Sequence, residues 1–197
     1  MAWDRDQIVR IALDQLDEVG LETLSLRKLA GRLEVHPSAL YYHFSNKQDL
    51  LDEMARALVQ TAVTQTPKPS EFTTDGLLTH LARTQRAAIR SRRDGGLLMI
   101  KARPTADDQL EYLDWLIERL VAEGFSVTEA ATAFTAVSNY AIGATVAEQQ
   151  RTTDAPADPQ LLQQHPGLRS IAEVTADADA TFERGLRWLL DGIRAKP

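Results

Sequence analysis

Residues 25–47 read SLRKLAGRLEVHPSALYYHFSNK, and this stretch decides the fold of the N-terminal part of the chain. Ser25 is a good helix cap, and apolar residues follow it at helical spacing at positions 26, 29, 30 and 33. Pro37 stands where the first turn of a helix tolerates proline, which predicts a second short helix from Pro37 to Phe44. Two short helices joined by a tight turn have the spacing of a helix-turn-helix, whose second helix enters the major groove of DNA.

The second of these helices is predicted to expose an aromatic side chain. Leu40 and Phe44 share one face and would anchor the helix to a core. Tyr41 and Tyr42 cannot both turn inward beside them, so we expect at least one exposed phenol. Such a phenol can hydrogen-bond a phosphate or pack on a thymine methyl group. An ordinary three-helix corner explains the same pattern, and the residues alone leave both interpretations open.

Helical periodicity extends along the whole chain. Apolar residues recur at three- and four-residue spacing, and no segment alternates like a strand. The fold is therefore predicted to be all-α. The predicted helices cover residues 5–19, 25–33, 37–44, 47–64, 74–91, a short stretch after Gly96 that Pro104 ends, 107–123, 126–151, 168–174 and 179–194. The proline-containing segment 152–167 is predicted to be a loop with at most a turn of helix.

The composition excludes several classes of protein. The chain has 197 residues, of which 44% are hydrophobic, and this is enough to bury a sizeable core. It has no cysteine, which excludes disulfides, thiolate zinc sites and cysteine nucleophiles and favours a reducing compartment. The N-terminus carries charges where a signal peptide needs apolar residues, and no apolar run approaches the roughly 20 residues of a membrane span. We therefore expect a soluble cytoplasmic protein with no membrane partner.

The charges are distributed unevenly. The net charge is −6, which argues against a chain that coats nucleic acid along its length. Basic residues outnumber acidic ones between Arg27 and Lys47, whereas acidic residues gather in 107–118 and 148–183. This asymmetry is typical of a protein that touches DNA at one end only.

Residues 40–47, LYYHFSNK, together with 25–30, SLRKLA, resemble the DNA-binding signature of the TetR family of bacterial transcriptional regulators. Further along, 93–95, 102–105, 123–126 and 136–143 are similar to the C-terminal domain of the tetracycline repressor branch of that family. The resemblance implies a helix-turn-helix DNA-binding domain in residues 1–46. It also implies a larger helical domain in residues 47–197 that binds a ligand and forms the dimer.

The resemblance also implies a set of DNA-contacting residues. Arg27 matches a base-contacting arginine, and Pro37, Ser38 and Ala39 occupy the base-reading positions. Tyr41, Tyr42 and Lys47 match positions that contact bases or the backbone. His36 stands where many members have a Ser or Thr cap and is included in the site. We expect base readout to depend on Arg27 and on methyl contacts.

Two small or apolar stripes suggest a dimer. The segment 126–151 is rich in Ala and Gly, and the last helix carries a stripe of Phe182, Leu186, Leu189, Leu190 and Ile193 with Gly185 beside it. Each stripe could be intramolecular core. With the resemblance, a bundle of these two helices from two copies becomes the favoured interpretation. The homodimer would then bind a palindromic operator in double-stranded DNA.

The metal site of the tetracycline repressor branch is not expected here. That branch holds its drug as a magnesium chelate through a histidine and a glutamate, and the matching positions are Met99 and Ala147. A neighbouring asparagine position is Leu81. The four histidines are scattered without helical pair spacing. We therefore predict no metal, no cofactor and no binding of tetracycline.

A different pocket is predicted from Gln85, a polar residue that interrupts an apolar helical run. Seven residues are candidates for its lining: Gln85, Met99, Arg103, Trp115, Phe134, Asn139 and Tyr140. The favoured hypothesis is a repressor that leaves its operator when a small, mostly apolar molecule enters this pocket and shifts the short helix before Pro104 against helix 47–64.

Two other classes of function are alternatives to this hypothesis. An enzyme is disfavoured because no nucleophile elbow, phosphate loop or pair of catalytic carboxylates is recognisable. A helix-turn-helix protein without a small-molecule effector, either an activator or a regulator switched by a protein partner, stays open.

Overall fold

The computed structural model describes residues 3–65, 73–103, 107–151 and 158–195, without the side chains of 107–109. Within these ranges the fold is all-α, as predicted, and no strand occurs. The helices are α1 Arg5–Thr23, α2 Leu26–Arg32, α3 Pro37–His43, α4 Lys47–Gln65, α5 Thr74–Arg90, α6 Gly95–Lys101, α7 Asp107–Ala122, α8 Val127–Arg151, α9 Pro159–Gln164, α10 Pro166–Ala176 and α11 Ala178–Arg194. In the described part of the chain, no helix is long and apolar enough to cross a membrane.

Local capping signals fix where the helices begin. The Ser25 hydroxyl accepts from the backbone N–H of Lys28 at 3.3 Å, and Asn46 caps α4 through the N–H of Asp49 at 3.0 Å. Ser126 and Glu129 form a capping box at the start of α8, because each side chain accepts the other residue's N–H. These starts were readable in the sequence because each involves residues only a few positions apart.

The first helix was predicted to cover residues 5–19, but the structure has a kink at Gly20 and not an end. Gly20 has φ 75°, a left-handed conformation that glycine adopts without strain, and the helix resumes as far as Thr23. The carboxylate of Asp94 accepts from the N–H of Leu21 at 2.9 Å, just beyond the kink. A Cβ atom at position 20 would lie 3.0 Å from that carboxylate. The kink is therefore where the turn between α5 and α6 docks on α1.

The chain builds two hydrophobic cores. The first is formed mainly by α1 to α4, with Ala88 of α5 and Leu98 of α6, and is centred on fully buried residues that include Leu16, Leu40 and Phe44. The second lies among α5, α7, α8 and α11, around Leu116 and Val137. Helix α4 contributes Leu50, Leu51, Met54, Ala55, Leu58 and Ala62 to the first core. Helix α4, which follows the predicted boundary between residues 46 and 47, packs on α1 and also on α5 and α6, and the boundary stays a prediction.

The segment before α11 is more helical than predicted. Pro159 and Pro166 each stand in the first turn of a helix, so they begin α9 and α10 instead of interrupting a loop. The prediction of a loop up to residue 167 is corrected accordingly, and α10 exceeds its predicted range at both ends. Residues 152–157 and the expected helix stop at Pro104 lie outside the described residues.

Candidate nucleic-acid interface

Helix α3 has an exposed polar and aromatic face and a buried apolar face. Leu40 and Phe44 are buried beneath it, while Tyr41 is 57% and Tyr42 is 88% exposed. The prediction of at least one exposed phenol is confirmed, and both are available. Apolar anchors at positions 40 and 44 hold the short helix in place, since seven residues cannot form a stable helix alone.

The head of α3 is organised by His36. Its Nδ1 accepts from the backbone N–H of Ser38 at 3.3 Å and lies 2.8 Å from the Ser38 hydroxyl. His36 therefore caps the helix, a role that Ser, Thr, Asp or Asn fills more often in proteins. Ser38 and Ala39 are exposed, and Pro37 is half-buried in the first turn. Arg27 is exposed on α2.

Two cations of this part of the chain have protein partners. Arg32 forms a forked ion pair with Glu18, with one arm at 2.8 Å. The ammonium of Lys47 donates to the backbone oxygen of Leu21 at 3.4 Å and is half-buried. Burial lowers the pKa of Lys47, and the positive charge of Lys101 lowers it further. Contact between Lys47 and a phosphate stays a prediction that requires the side chain to turn outward.

A residue missed by sequence reasoning, Arg5, fastens the end of α3. Its guanidinium donates to the backbone oxygen of His43, to Asp49 at 2.7 Å and to Glu53 at 3.1 Å. It also lies 4.7 Å from the ring centre of Phe44. No local pattern reveals this role, because the partners lie 38 to 48 positions further along the chain.

We expect Arg5→Ala to weaken operator binding by about tenfold, or about 1.4 kcal/mol. The exit of α3 would lose its anchor, while no group that faces DNA is removed. Fluorescence anisotropy with a labelled operator measures the effect. Arg10→Ala, at an exposed position of the same helix, is the control and should bind like the wild type. Equal affinities for both variants would show that Arg5 does not position α3.

The start of α4 is joined to the end of α6. The Gln48 amide donates to the backbone oxygen of Lys101 at 2.7 Å and to Asp52 at 2.7 Å. The same Asp52 oxygen accepts from the backbone N–H of Arg103 at 2.8 Å. Helix α4 follows α3 after a short turn, so these hydrogen bonds connect the end of α6 to the helix next to α3.

A second junction ties the turn between α5 and α6 to α1. The guanidinium of Arg92 lies 3.0 Å from Asp14 and 2.7 Å from Asp17. The backbone N–H of Arg93 donates to Asp17 at 2.8 Å. Together with Asp94 at the kink, these contacts hold the beginning of α6 on the N-terminal helices. Both ends of α6 thus contact the DNA-binding part.

The predicted effector residues are spread over several surroundings. Gln85 donates to Ser138 at 3.1 Å, and its amide oxygen is buried with no partner among the described residues. Tyr140 stacks on Phe182 at 5.4 Å and donates to that residue's backbone oxygen at 2.8 Å. The remaining candidates lie elsewhere: Phe134 beside the second core, Met99 beside the first, Trp115 near Tyr112, and Asn139 and Arg103 on exposed surface. Within the described ranges the seven thus lie in several different surroundings, and their lining of a common pocket stays a prediction.

A charged cluster adjoins Tyr140 and Phe182. Arg86, with only 10% of its side chain exposed, lies 3.0 Å from Glu148 and 2.7 Å from Asp179. Its guanidinium stacks 4.5 Å from the ring centre of Phe182. Hydrogen bonds from Arg86 and Arg90 lower the pKa of Asp179. The cluster joins α5, α8 and α11, and the sequence shows no local sign of it.

Helix α8 has two faces rich in small residues. Ala130, Ala133 and Ala141 point into the second core. Another face carries Val127, Thr128, Ala131, Thr132, Thr135, Ala136 and Asn139, which line an open apolar groove of about 560 Å³. The stripe on α11 belongs to the protomer, because Phe182, Leu186 and Leu190 are buried in its own core. A side chain at Gly185 would collide with the Tyr140 hydroxyl, so this close approach is also internal.

Comparison with known proteins decides the family. A sequence model described as bacterial regulatory proteins of the tetR family matches residues 8–54. A second, described as tetracyclin repressor-like C-terminal domain, matches residues 66–196. The chain belongs to the TetR family. It is thus a DNA-binding transcriptional regulator of a family whose members also bind small molecules, and the resemblance seen in the sequence is confirmed.

Relatives of this TetR-family chain match over nearly its full length. It is 36% identical to the class A tetracycline repressor of transposon 1721 from Escherichia coli, covering 94% of this chain and 88% of that protein. A TetR variant from Acinetobacter baumannii, solved with minocycline, is 33% identical with a TM-score of 0.81, covering 98% and 97% of the two chains. A possible TetR-family regulator from Streptomyces coelicolor is 35% identical with a TM-score of 0.78, covering 98% and 99%.

Proposed function

We propose that this TetR-family regulator is a repressor. It binds a palindromic operator as a homodimer in the cytoplasm and is released when a small, mostly apolar molecule binds the C-terminal part. The DNA contacts come from Arg27, His36, the segment Pro37–Ala39, Tyr41, Tyr42 and Lys47. Arg27 and both tyrosines are exposed, whereas the apolar side chains that anchor α3 are buried, and this supports the assignment.

The observation that carries the proposal is the junction between α4 and α6. Gln48 and Asp52 bind backbone groups at the end of α6, so α4 responds to the position of that helix and not to its side chains. A ligand that displaces α6 must shift or break these hydrogen bonds. By linkage, it weakens operator binding by the same free energy by which the operator weakens ligand binding.

The chemistry of the effector follows from what lines the C-terminal helices. Leu81 is buried and Met99 and Ala147 are half-buried, and these stand where the tetracycline repressor branch has polar and metal-binding groups. The unpartnered oxygen of Gln85 accepts a hydrogen bond, so an apolar molecule with one N–H or O–H donor fits best. Such a ligand would satisfy an acceptor that has no partner among the residues that the structure describes.

Tetracycline with Mg²⁺ is expected to leave the operator complex intact. No group of three or more His, Cys, Asp or Glu side chains within the described ranges is placed to hold a metal ion. Titration of the protein–operator complex with tetracycline and millimolar Mg²⁺ tests this, with a class A tetracycline repressor as the positive control. Release of this protein at a comparable drug concentration would contradict the prediction.

The homodimer is proposed to use the groove of α8. Its lining is apolar and shallow, and the small side chains permit the close approach of a second helix. Ala136 lies one turn from Tyr140, which packs against Gly185, and the 70% exposed Trp188 lies one turn beyond Gly185. The groove and this tryptophan thus lie on neighbouring faces of two packed helices, as an interface of α8 and α11 with a second copy requires.

The coupling is tested with an operator selected from a random duplex library and an effector found by thermal-shift screening. We expect the effector to release wild-type protein. Asp52→Ala should bind the effector with unchanged affinity. The effector should weaken its operator binding several-fold less than that of the wild type, because the hydrogen bond from the end of α6 to α4 is lost. Gln60→Ala, at an exposed position of α4, is the control and should respond like the wild type.

An effector that binds without changing operator affinity would refute the release mechanism. A screen without hits would support the alternative of a regulator that has no small-molecule effector.

A further inference from the structure

The hydrogen bonds at the head of α3 assign a proton. The backbone N–H of Ser38 points at Nδ1 of His36, with 3.3 Å between the nitrogens. A protonated Nδ1 would place two hydrogens face to face, so Nδ1 carries a lone pair and the neutral ring holds its proton on Nε2. The capping contact thereby fixes the tautomer.

The same lone pair determines the orientation of the Ser38 hydroxyl. Its oxygen lies 2.8 Å from Nδ1, a distance typical of a strong hydrogen bond. Because Nδ1 has no hydrogen to give, the hydroxyl must donate. A serine hydroxyl has one hydrogen and two lone pairs, so this commitment leaves only lone pairs for any other partner.

Both residues are exposed. Under the proposed function, Ser38 stands at a base-reading position of the recognition helix. A free serine hydroxyl can donate or accept and discriminates poorly among bases. One that can only accept needs a donor, and the donors of the major groove are the amino groups of adenine and cytosine. On a given strand, guanine and thymine present an oxygen at the equivalent place.

We propose that His36 sets the base specificity of Ser38. The Ser38 hydroxyl donates its hydrogen to His36 and can only accept a hydrogen bond from DNA. Ser38 therefore selects an amino base, adenine or cytosine, over a keto base, guanine or thymine, on the strand that it contacts. This inference rests on the proposed sequence-specific operator binding. It assigns His36 a role in readout beyond capping, through a side chain that it orients.

The experiment compares wild type with Ser38→Ala on four operators that differ at one base pair, scanned through the half-site. At the position that Ser38 reads, the ratio of wild-type to variant affinity should split the four duplexes into two pairs. The affinity ratio for the two duplexes with A or C on the contacted strand should exceed the ratio for those with G or T by about fivefold or more. Replacing that adenine by purine, which lacks the amino group, should remove the advantage.

A matched pair of variants isolates His36. His36→Asn keeps an acceptor for Ser38 and should preserve the split, whereas His36→Ala frees the hydroxyl and should abolish it. Thermal melting and affinity for random DNA verify that each variant is folded and binds phosphates.

Three results would overturn the inference. A ratio that is equal on all four base pairs at every position means that Ser38 does not read a base. A split that survives in His36→Ala means that His36 does not orient the hydroxyl. A wild type without any sequence preference would refute the proposed function as well, and only that outcome would do so.

Discussion

Arg86→Ala should lower the free energy of unfolding by about 3 kcal/mol. Arg86 is nearly enclosed, between Glu148 and Asp179 and over the ring of Phe182. Its removal leaves Glu148, itself only 15% exposed, with Arg90 at 3.3 Å as a remaining partner. A buried carboxylate that loses its main counter-charge is costly, so we expect a fall in melting temperature of about 10 °C. Chemical denaturation at fixed protein concentration measures the free energy.

Arg83→Ala provides the matched control. Arg83 lies on the same helix and pairs with Glu183 at 2.9 Å, but both side chains are largely in solvent. An exposed pair of this kind contributes about 0–1 kcal/mol, so this variant should melt close to the wild type. Arg86→Leu combined with Glu148→Leu should cost less than Arg86→Ala, because no unpaired charge stays behind. If both arginine variants lose the same free energy, burial of the cluster is not what stabilises the protein.

Thr135→Glu should convert the dimer to monomers and reduce operator affinity by about 100-fold or more. Thr135 lies on the groove-lining face of α8, so a two-fold contact there would bring two carboxylates into one apolar interface. Two linked recognition helices bind a palindrome far more tightly than one, and the variant would lose that advantage. Sedimentation velocity gives the oligomeric state, and anisotropy on full and half operators gives the affinity.

The comparison variant for the interface is Ala87→Glu, at an exposed position of α5. It adds the same charge outside the groove and should stay dimeric with wild-type affinity. A dimeric Thr135→Glu protein with unchanged operator binding would place the interface elsewhere. Dissociation of both variants would point to a general effect of negative charge on this acidic protein.

The beginnings of several helices were predicted closely because their determinants are local. Ser25, Asn46 and Ser126 cap helices through residues three positions away, and such pairs are visible in the sequence. The burial of Leu40 and Phe44 also follows from spacing alone. The prolines at 159 and 166 misled the prediction because proline fits a first turn as well as a loop, and only packing decides between them.

The contacts that join distant segments could not be predicted. Arg86 is followed 62 residues later by Glu148, and Arg5 precedes Asp49 by 44. Nothing in the spacing of charges distinguishes these arginines from solvated ones. The lining of the effector pocket stays a prediction, and the sequence likewise could not show that Met99 packs beside the first core and Phe134 beside the second.

The pairing of Arg32 with Glu18 and the inward position of Lys47 have a consequence for the regulator in a changing cell. Each phosphate neutralised by a protein cation releases bound counterions, and the affinity for DNA then falls steeply as salt rises. Here two of the basic residues nearest the recognition helix are already occupied by the protein itself. In this arrangement neither cation neutralises a phosphate. The proposed contact of Lys47 with DNA requires its side chain to turn outward, and that movement would make the affinity for the operator fall more steeply as salt rises.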